Sequence, residues 1–386
     1  MLHHQQRFVP KVWFKILKVV QFLVAMKLRR AKRKRPPTAD EQAQHAAVAL
    51  YSLGRFSLQL AFTASLLGLE MDSYRRLLFM GAPTVLYDML KFVQQVSNPD
   101  RIYKLLMVEY FCGCAAMTRS FQSAGYPATG VDQDKDRCFE NILSDQGMLF
   151  CIRLAMALAP HGVMWLGTVC SSFVWLCRST TARSERNPRG NTDLACVSMG
   201  NQMAARSALL ALLAMANRTW WVLEQPFSSI MQLHPALVYL KELAIFPWAD
   251  WHVADTFMGA FEGLSVKEHQ LMSSKWWIHG MSRPKPVVDA PAQTTSVVVR
   301  IATDGTKMKT TTGNKGALKE SQHYTDNFGD AFLNLYQAYC LKYEQELEDD
   351  DFDSFDMMDI SDAAWQDLNL GGMLSFMASA LPAAPP

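Results

Sequence analysis

The sequence predicts an α/β protein, an open sheet with helices on both faces, and three observations predict it. Short apolar runs alternate with helical stretches through the middle of the 386 residues, the pattern that builds a mostly parallel sheet. Special residues stand where the apolar runs stop, at Cys112-Gly113, Asp132, Cys170 and Glu224, as a ligand crevice at strand carboxyl ends requires. A composition of 49% hydrophobic and 19% charged residues supplies a core and excludes collagen-like, coiled-coil and wholly disordered chains.

The chain begins with Lys11, Lys15 and Lys18 at helical spacing among Val12, Trp13, Phe14, Ile16 and Leu17, predicting an amphipathic helix over 11–28 with a basic stripe. It runs into Arg29-Arg30-Ala31-Lys32-Arg33-Lys34-Arg35 and is stopped by Pro36-Pro37. Residues 1–35 hold eleven Lys/Arg and no acid, and residues 344–386 hold eleven Asp/Glu and no Lys/Arg. Tails of opposite sign therefore flank a nearly neutral middle. The basic segment 1–38 reads as a nuclear-localisation or nucleic-acid patch, an organellar presequence, or a membrane-surface helix. Its longest apolar run without charge, 19–26, is eight residues, against roughly 20 for a membrane span, so no transmembrane segment is expected.

Residues 39–100 predict a helical lead-in, with helices over 41–53, 58–67 and 73–96 interrupted near Gly54, Gly68 and Gly81-Ala82-Pro83. An α/β domain over 101–343 follows. Its strands are expected at 103–110, 128–131, 163–167, 220–223, 251–257, 276–278 and 296–301. Its helices are expected at 117–124, 136–143, 148–158, 198–216 and 328–342. Lys267-Glu268-His269 and the stretch from Lys319 to Tyr324 are polar without an assigned role. The segment 344–386 interleaves acids with Phe352, Phe355, Met357, Met358, Ile360 and Trp365. It reads as a solvated, disordered tail, or as a segment whose hydrophobes dock on a partner protein.

Eight cysteines without a Cys-x-x-Cys pair predict reduced thiols and no structural metal site. The compartment implied is intracellular, nuclear by the basic-patch reading and organellar by the presequence reading.

Small residues after the first strand, Cys112-Gly113-Cys114-Ala115-Ala116, let backbone approach a ligand at a helix start. An acid ending the second strand, Asp132, suits two ribose hydroxyls. One glycine stands where a phosphate-binding loop needs three, which favours a nucleoside without phosphates over a dinucleotide.

These stretches resemble the S-adenosylmethionine-dependent methyltransferases, specifically the DNA cytosine-5 methyltransferase-like group. Glu109-Tyr110-Phe111-Cys112-Gly113 is similar to that group's acid-x-Phe-x-Gly turn, Val169-Cys170-Ser171-Ser172-Phe173 to its nucleophile loop, and Glu224-Gln225-Pro226 to its base-engaging Glu-Asn-Val/Pro. The match spans roughly 105–230 in the family's order. It departs at Val169, where the family has proline, and at Gly113-Cys114-Ala115-Ala116, where it has Gly-x-Gly-Gly.

The resemblance implies a Rossmann-like methyltransferase sheet binding S-adenosylmethionine through Glu109, Phe111, Gly113, Asp132 and Asp145. It implies that a Cys170 thiolate attacks carbon 6 of cytosine and that Glu224, part-protonated beside Trp220 and Trp221, serves N3. Arg178, Arg183 and Asn191 belong to a polar, basic loop that clamps a nucleic-acid backbone or another anionic substrate, or is simply solvated. Asp145 reaches the adenine or caps the helix at 147. The strand expected between the Asp132 unit and the strand before Cys170 is missing. Two alternatives stand beside this reading. Cys170 is a packed small hydrophobe in a catalytically silent module of the same fold, or the methyl acceptor is a different one.

Overall fold

The computed structural model describes residues 61–96, 105–137, 139–246, 249–263, 266–287, 295–301, 307–313, 323–343, 362–369 and 377. The basic segment 1–38, the helix expected over 41–53, residues 319–322 and the acidic stretch 344–361 lie outside them. Among the described residues no helix is long and apolar enough to cross a membrane.

Residues 67–386 form one compact unit. The elements run α1 (Met71–Phe79), α2 (Thr84–Val96), β1 (Leu105–Tyr110), α3 (Ala116–Ser123), β2 (Ala128–Val131), α4 (Asp145–Met156), β3 (Leu158–Leu166), α5 (Arg178–Thr181) and α6 (Ala195–Ala216). Then come β4 (Trp220–Pro226), α7 (Pro235–Glu242), β5 (His252–Phe257), β6 (Glu268–Ser273), the hairpin strands β7 (Thr295–Ile301) and β8 (Lys307–Gly313), α8 (Asp326–Tyr343) and α9 (Asp362–Trp365).

Six strands make a mixed sheet in the order β2-β1-β3-β4-β6-β5. The first four are parallel, and β6 is antiparallel to both β4 and β5. β1 lies between β2 and β3, so the chain leaves it to one side and crosses back to the other. The carboxyl ends of β1 and β3 therefore flank a topological switch point. No strand stands between β2 and β3 in the described chain; Ser144 leads into α4 by capping it, its Oγ accepting from the Gly147 N–H at 2.9 Å.

Helices cover both faces. On one, α1, α2, α4, α6 and α7 pack against Val108, Tyr110, Leu166, Trp221 and Leu223. On the other, α3 and α8 pack against Met107, Trp165, Val222 and Trp277. α6 is buried without a break from Ala204 to Ala216, and that part is apolar except for Arg206 and Ser207, as a central helix requires. Its carboxyl end is closed by the buried Arg76 of α1, whose Nη1 donates to the Ala216 carbonyl at 3.1 Å, a cation where the helix dipole favours one.

Four expectations are corrected. Residues 276–278 are not a strand but the start of a 3₁₀ turn, Trp276–Met281, because Ser273 Oγ accepts from the Lys275 N–H and closes β6. The strands β6 and β8 were not foreseen, and Lys267-Glu268-His269 leads into the first of them. Residues 136–143 turn rather than form a helix, since Asp132, Asp136 and Asn141 accept from the N–H groups of Asp134, Phe139 and Leu143 and stop propagation. Residues 362–369, expected as part of a disordered tail, instead fold onto the sheet unit and bury Trp365 and Leu368. The helical stretch 73–96 is parted at Gly81-Ala82-Pro83, where the interruption was expected, into α1 and α2.

Candidate active site

The turn from β1 into α3 holds Phe111, Gly113 and Ala115 at φ 59°, 48° and 58°. Glycine takes this left-handed conformation freely, whereas Phe111 and Ala115 each cost about 1–2 kcal/mol. Such strain concentrates at functional turns. A Cβ placed on Gly113 meets no atom within 4 Å, so the backbone there faces open space.

Asp132, ending β2, braces this turn. One carboxylate oxygen accepts from the Gly113 N–H at 2.9 Å and the other from the Asp134 N–H at 2.9 Å. Each oxygen keeps further acceptor capacity.

Glu109 lies fully buried beneath the turn. Its Oε2 accepts from the Thr118 N–H at 2.8 Å and from the Thr118 hydroxyl at 2.7 Å. It thereby caps α3, whose N-cap position, Ala115, has no side chain to do so. Its Oε1 is buried without a hydrogen-bond partner. Burial pushes this carboxyl up to about 7, against the pull of the Thr118 hydrogen bonds.

Three strand ends are laced together at the crevice. The Gly167 N–H donates to the Tyr110 carbonyl at 3.1 Å, and Gln225 Nε2 donates to the Thr168 carbonyl at 2.7 Å. Cys170 follows on a tight turn in which its carbonyl accepts from the Phe173 N–H at 2.7 Å. Burial raises the Cys170 thiol to about 11; Lys267 pulls it down and Glu224 pushes it up. The activated thiolate expected there is thus a protonated thiol in the free protein.

Glu224 is nearly buried at the end of β4. It accepts from His269 Nδ1 and, at 2.7 Å, from the Tyr324 hydroxyl. Burial opposes its ionisation, but His269, the two hydrogen bonds and Lys267 outweigh burial and hold it below the usual carboxylate range. The part-protonated acid expected at Glu224 is therefore a clamped carboxylate.

His269 and Tyr324 are the site residues that sequence reasoning missed. Both stand in polar stretches already singled out, but nothing in either stretch points to Glu224. His269 comes from β6 with Nε2 buried and without a partner. Tyr324 precedes α8 and stands edge-on to Trp165, ring centroids 5.7 Å apart. A Cβ on Gly167 would sit 3.1 Å from the Tyr324 hydroxyl and 3.3 Å from the Phe111 carbonyl, so only glycine fits there unaltered.

The basic loop divides. Arg183 is buried, with its guanidinium 3.6 Å from the Phe173 ring centre and donating to Ser172 Oγ, Asn201 Oδ1 and the Val197 carbonyl. It fixes the shape of the Cys170 loop and presents no free face to a ligand. Desolvation lowers it to about 10, and it stays charged at neutral pH. Arg178 is half-buried and borders a cavity. Asn191 is exposed and accepts from the Asp193 N–H at 3.1 Å, closing its own turn. Asp145 begins α4, but the capping bond belongs to Ser144.

No family model, no curated protein and no solved structure matches this chain. Among the described residues no three His, Cys, Asp or Glu side chains converge as metal ligands would.

Proposed function

We propose that this protein is an S-adenosylmethionine-dependent methyltransferase, of the Rossmann-like class, acting on a cytosine base in nucleic acid. One observation carries the reading. The switch point of the sheet gathers the open Gly113 turn, Asp132, Cys170 and Glu224 at one edge, where α/β sheets take their ligands.

The residues fit a nucleoside. It is proposed to lie against the backbone at Gly113, where an added Cβ meets no atom within 4 Å, with Phe111 beside it. The remaining lone pairs of Asp132 suit two ribose hydroxyls, and Asp145, in the first turn of α4, is the residue proposed for the adenine. Glu109 supports the turn from beneath through Thr118 rather than by direct contact. When bound, S-adenosylmethionine supplies an electrophilic methyl group. On the protein side, Cys170 must first lose its proton, and Lys267 is the charge that favours the thiolate. Glu224 is the carboxyl proposed to meet N3 of the base and to share a proton there, with His269 Nδ1 and the Tyr324 hydroxyl orienting it through their hydrogen bonds. The basic segment 1–38 supplies either non-specific nucleic-acid contact or nuclear or organellar targeting. The acidic stretch 344–361 is left to a protein partner.

A second reading, a catalytically silent module of the same fold, is favoured by the high Cys170 pKa and the clamped Glu224. Calorimetry of the full chain with S-adenosylmethionine, and with its demethylated product, decides first. Binding of both at micromolar to millimolar concentration is expected. No heat from either at millimolar ligand removes the methyl-transfer reading.

A further inference from the structure

We infer that the cavity between the Cys170 loop and the segment after β4 is a stacking site for one unpaired base of a single-stranded nucleic acid, with Arg178 on its phosphate. This rests on the nucleic-acid half of the proposed function and not on the methyl donor.

The cavity has a volume of about 630 Å³ and is bordered by Trp175, Phe227, Arg178, Glu185, Ser228 and Gln232, among others, within the range of small-ligand sites. Trp175 is 52% exposed and Phe227 49%. A lone exposed ring is ordinary; two lining one hollow mark a surface that something covers. Neither ring contacts another aromatic ring among the described residues.

The hollow is also pre-formed. Val174 and Ser229 pair as a β-bridge, the Ile230 N–H donates to the Phe173 carbonyl at 3.2 Å, and Ser229 Oγ donates to Gln225 Oε1 at 2.9 Å. Through Phe173 and Gln225 it is continuous with the loop of Cys170 and the strand end of Glu224.

Charge selects the occupant. Arg178 Nε is buried without a hydrogen-bond partner, and this arginine is in no ion pair among the described residues. Between 178 and 191 stand four arginines and one acid, Glu185. Arg183 and Arg189 are engaged inside the protein, which leaves Arg178 and the exposed Arg186 for a polyanion. A flat π-face for the rings, an edge for Ser228 and Gln232 and a phosphate for Arg178 are together the features of a nucleotide. An apolar peptide has no use for the arginine. A paired base keeps its faces against its neighbours and cannot enter, so the strand must be single.

The test uses the full chain without methyl donor and reads binding of fluorescein-labelled 12-nucleotide oligothymidine, a duplex of equal length, an abasic strand and free thymidine monophosphate. Trp175→Ala and Phe227→Ala are each expected to weaken the single strand about 10-fold and to leave duplex and abasic strand unchanged. Trp175→Phe, which keeps a ring, stays within about 3-fold of wild type. Arg178→Gln lowers the salt slope by about one. Equal affinity of Trp175→Ala and wild type overturns the inference, as does an abasic strand bound as tightly as oligothymidine. Free monophosphate bound as tightly as the strand makes the cavity a mononucleotide site and overturns the polymer. If Trp175→Ala melts early, Phe227→Ala together with the Trp175→Phe comparison decides. Loss of S-adenosylmethionine binding with intact oligonucleotide binding removes methyl transfer alone; the reverse removes this inference alone.

Discussion

Asp367 grips Arg189 through two hydrogen bonds, 2.8 Å to Nε and 2.6 Å to Nη2, and so ties the end of an acidic segment to the loop that follows Cys170. The same carboxylate takes a third hydrogen bond, 3.1 Å, from His234. His234 Nδ1 accepts from the Ala236 N–H, so the ring proton sits on Nε2 and points at Asp367. Burial lowers the pKa of His234 and keeps the ring neutral. Arg206, buried in α6, adds donors to the carbonyls of Leu368 and Asn369. The segment 362–369 is thus a strap over the loop that follows Cys170.

Cutting that strap has a defined signature. Burial pushes the Asp367 carboxyl up, but the hydrogen bonds from His234 and Arg189 win and hold it at about 2. A depressed carboxylate stabilises the fold above its unfolded pKa near 3.8 and loses that contribution as pH falls toward 2. Asp367→Asn is expected to cost about 1.5–3 kcal/mol at pH 7. Its acid-side loss of stability between pH 4 and 2 should be shallower than in wild type. Urea unfolding across that range measures both.

Glu109 predicts the opposite slope. Its folded pKa of about 7 lies above the ordinary carboxylate value, so between roughly pH 4.5 and 7 the folded state holds more protons than the unfolded chain. Stability therefore falls as pH rises through that window, by up to about 3 kcal/mol for a shift of this size. Glu109→Gln keeps an oxygen to accept from Thr118 and cannot ionise. It should match wild type near pH 4 and exceed it at pH 8. Equal stability at pH 8 would mean that Glu109 is ionised without penalty in its buried position.

Two glycines at the crevice separate ligand space from packing. Gly113→Ala enters open space and costs the fold only about 1–2 kcal/mol for its left-handed φ, yet it places a methyl group where the nucleoside is proposed to lie. S-adenosylmethionine affinity should fall more than 10-fold while the melting temperature shifts by a few degrees. Gly167→Ala instead presses on the Tyr324 hydroxyl. It should loosen Tyr324 from Glu224 and lower the melting temperature more.

What could be read in advance follows the reach of the contacts. β2 matches its expected bounds because Ala128–Val131 is a compact run fenced by Pro127 and Asp132. The fold class was legible for the same local reason, alternation with special residues at each strand end. β6 was not, because Glu268–Ser273 is mostly polar and becomes a strand only by pairing between β4 and β5. The partners of Glu224 lie 45 and 100 residues away in the chain, and no local pattern announces them. The strap escaped for another reason. Its acids read as solvating charge until Arg189 and His234 are placed beneath Asp367.

The last prediction concerns whether Cys170 does chemistry. A thiol at about 11 is thiolate in only about one part in ten thousand at pH 7, so in the free protein Cys170 should be alkylated slowly, about tenfold faster per pH unit up to that pKa. If the site is catalytic, bound substrate must supply what the free protein lacks. A thiolate that attacks carbon 6 of cytosine stays bonded until a proton leaves carbon 5, and fluorine at carbon 5 prevents that departure. An oligonucleotide containing 5-fluorocytosine, incubated with the full chain and S-adenosylmethionine, should therefore give an adduct that survives denaturation and adds one strand to the mass. Cys170→Ser should abolish it, since a hydroxyl is a far poorer nucleophile near neutral pH. Tyr324→Phe removes one of the two donors to Glu224 and should slow adduct formation without preventing it. An adduct that persists in Cys170→Ser moves the nucleophile to another cysteine. No adduct on any strand, with cofactor binding intact, leaves Cys170 as a packing residue, because a half-buried thiol that no ligand deprotonates has no route to carbon 6.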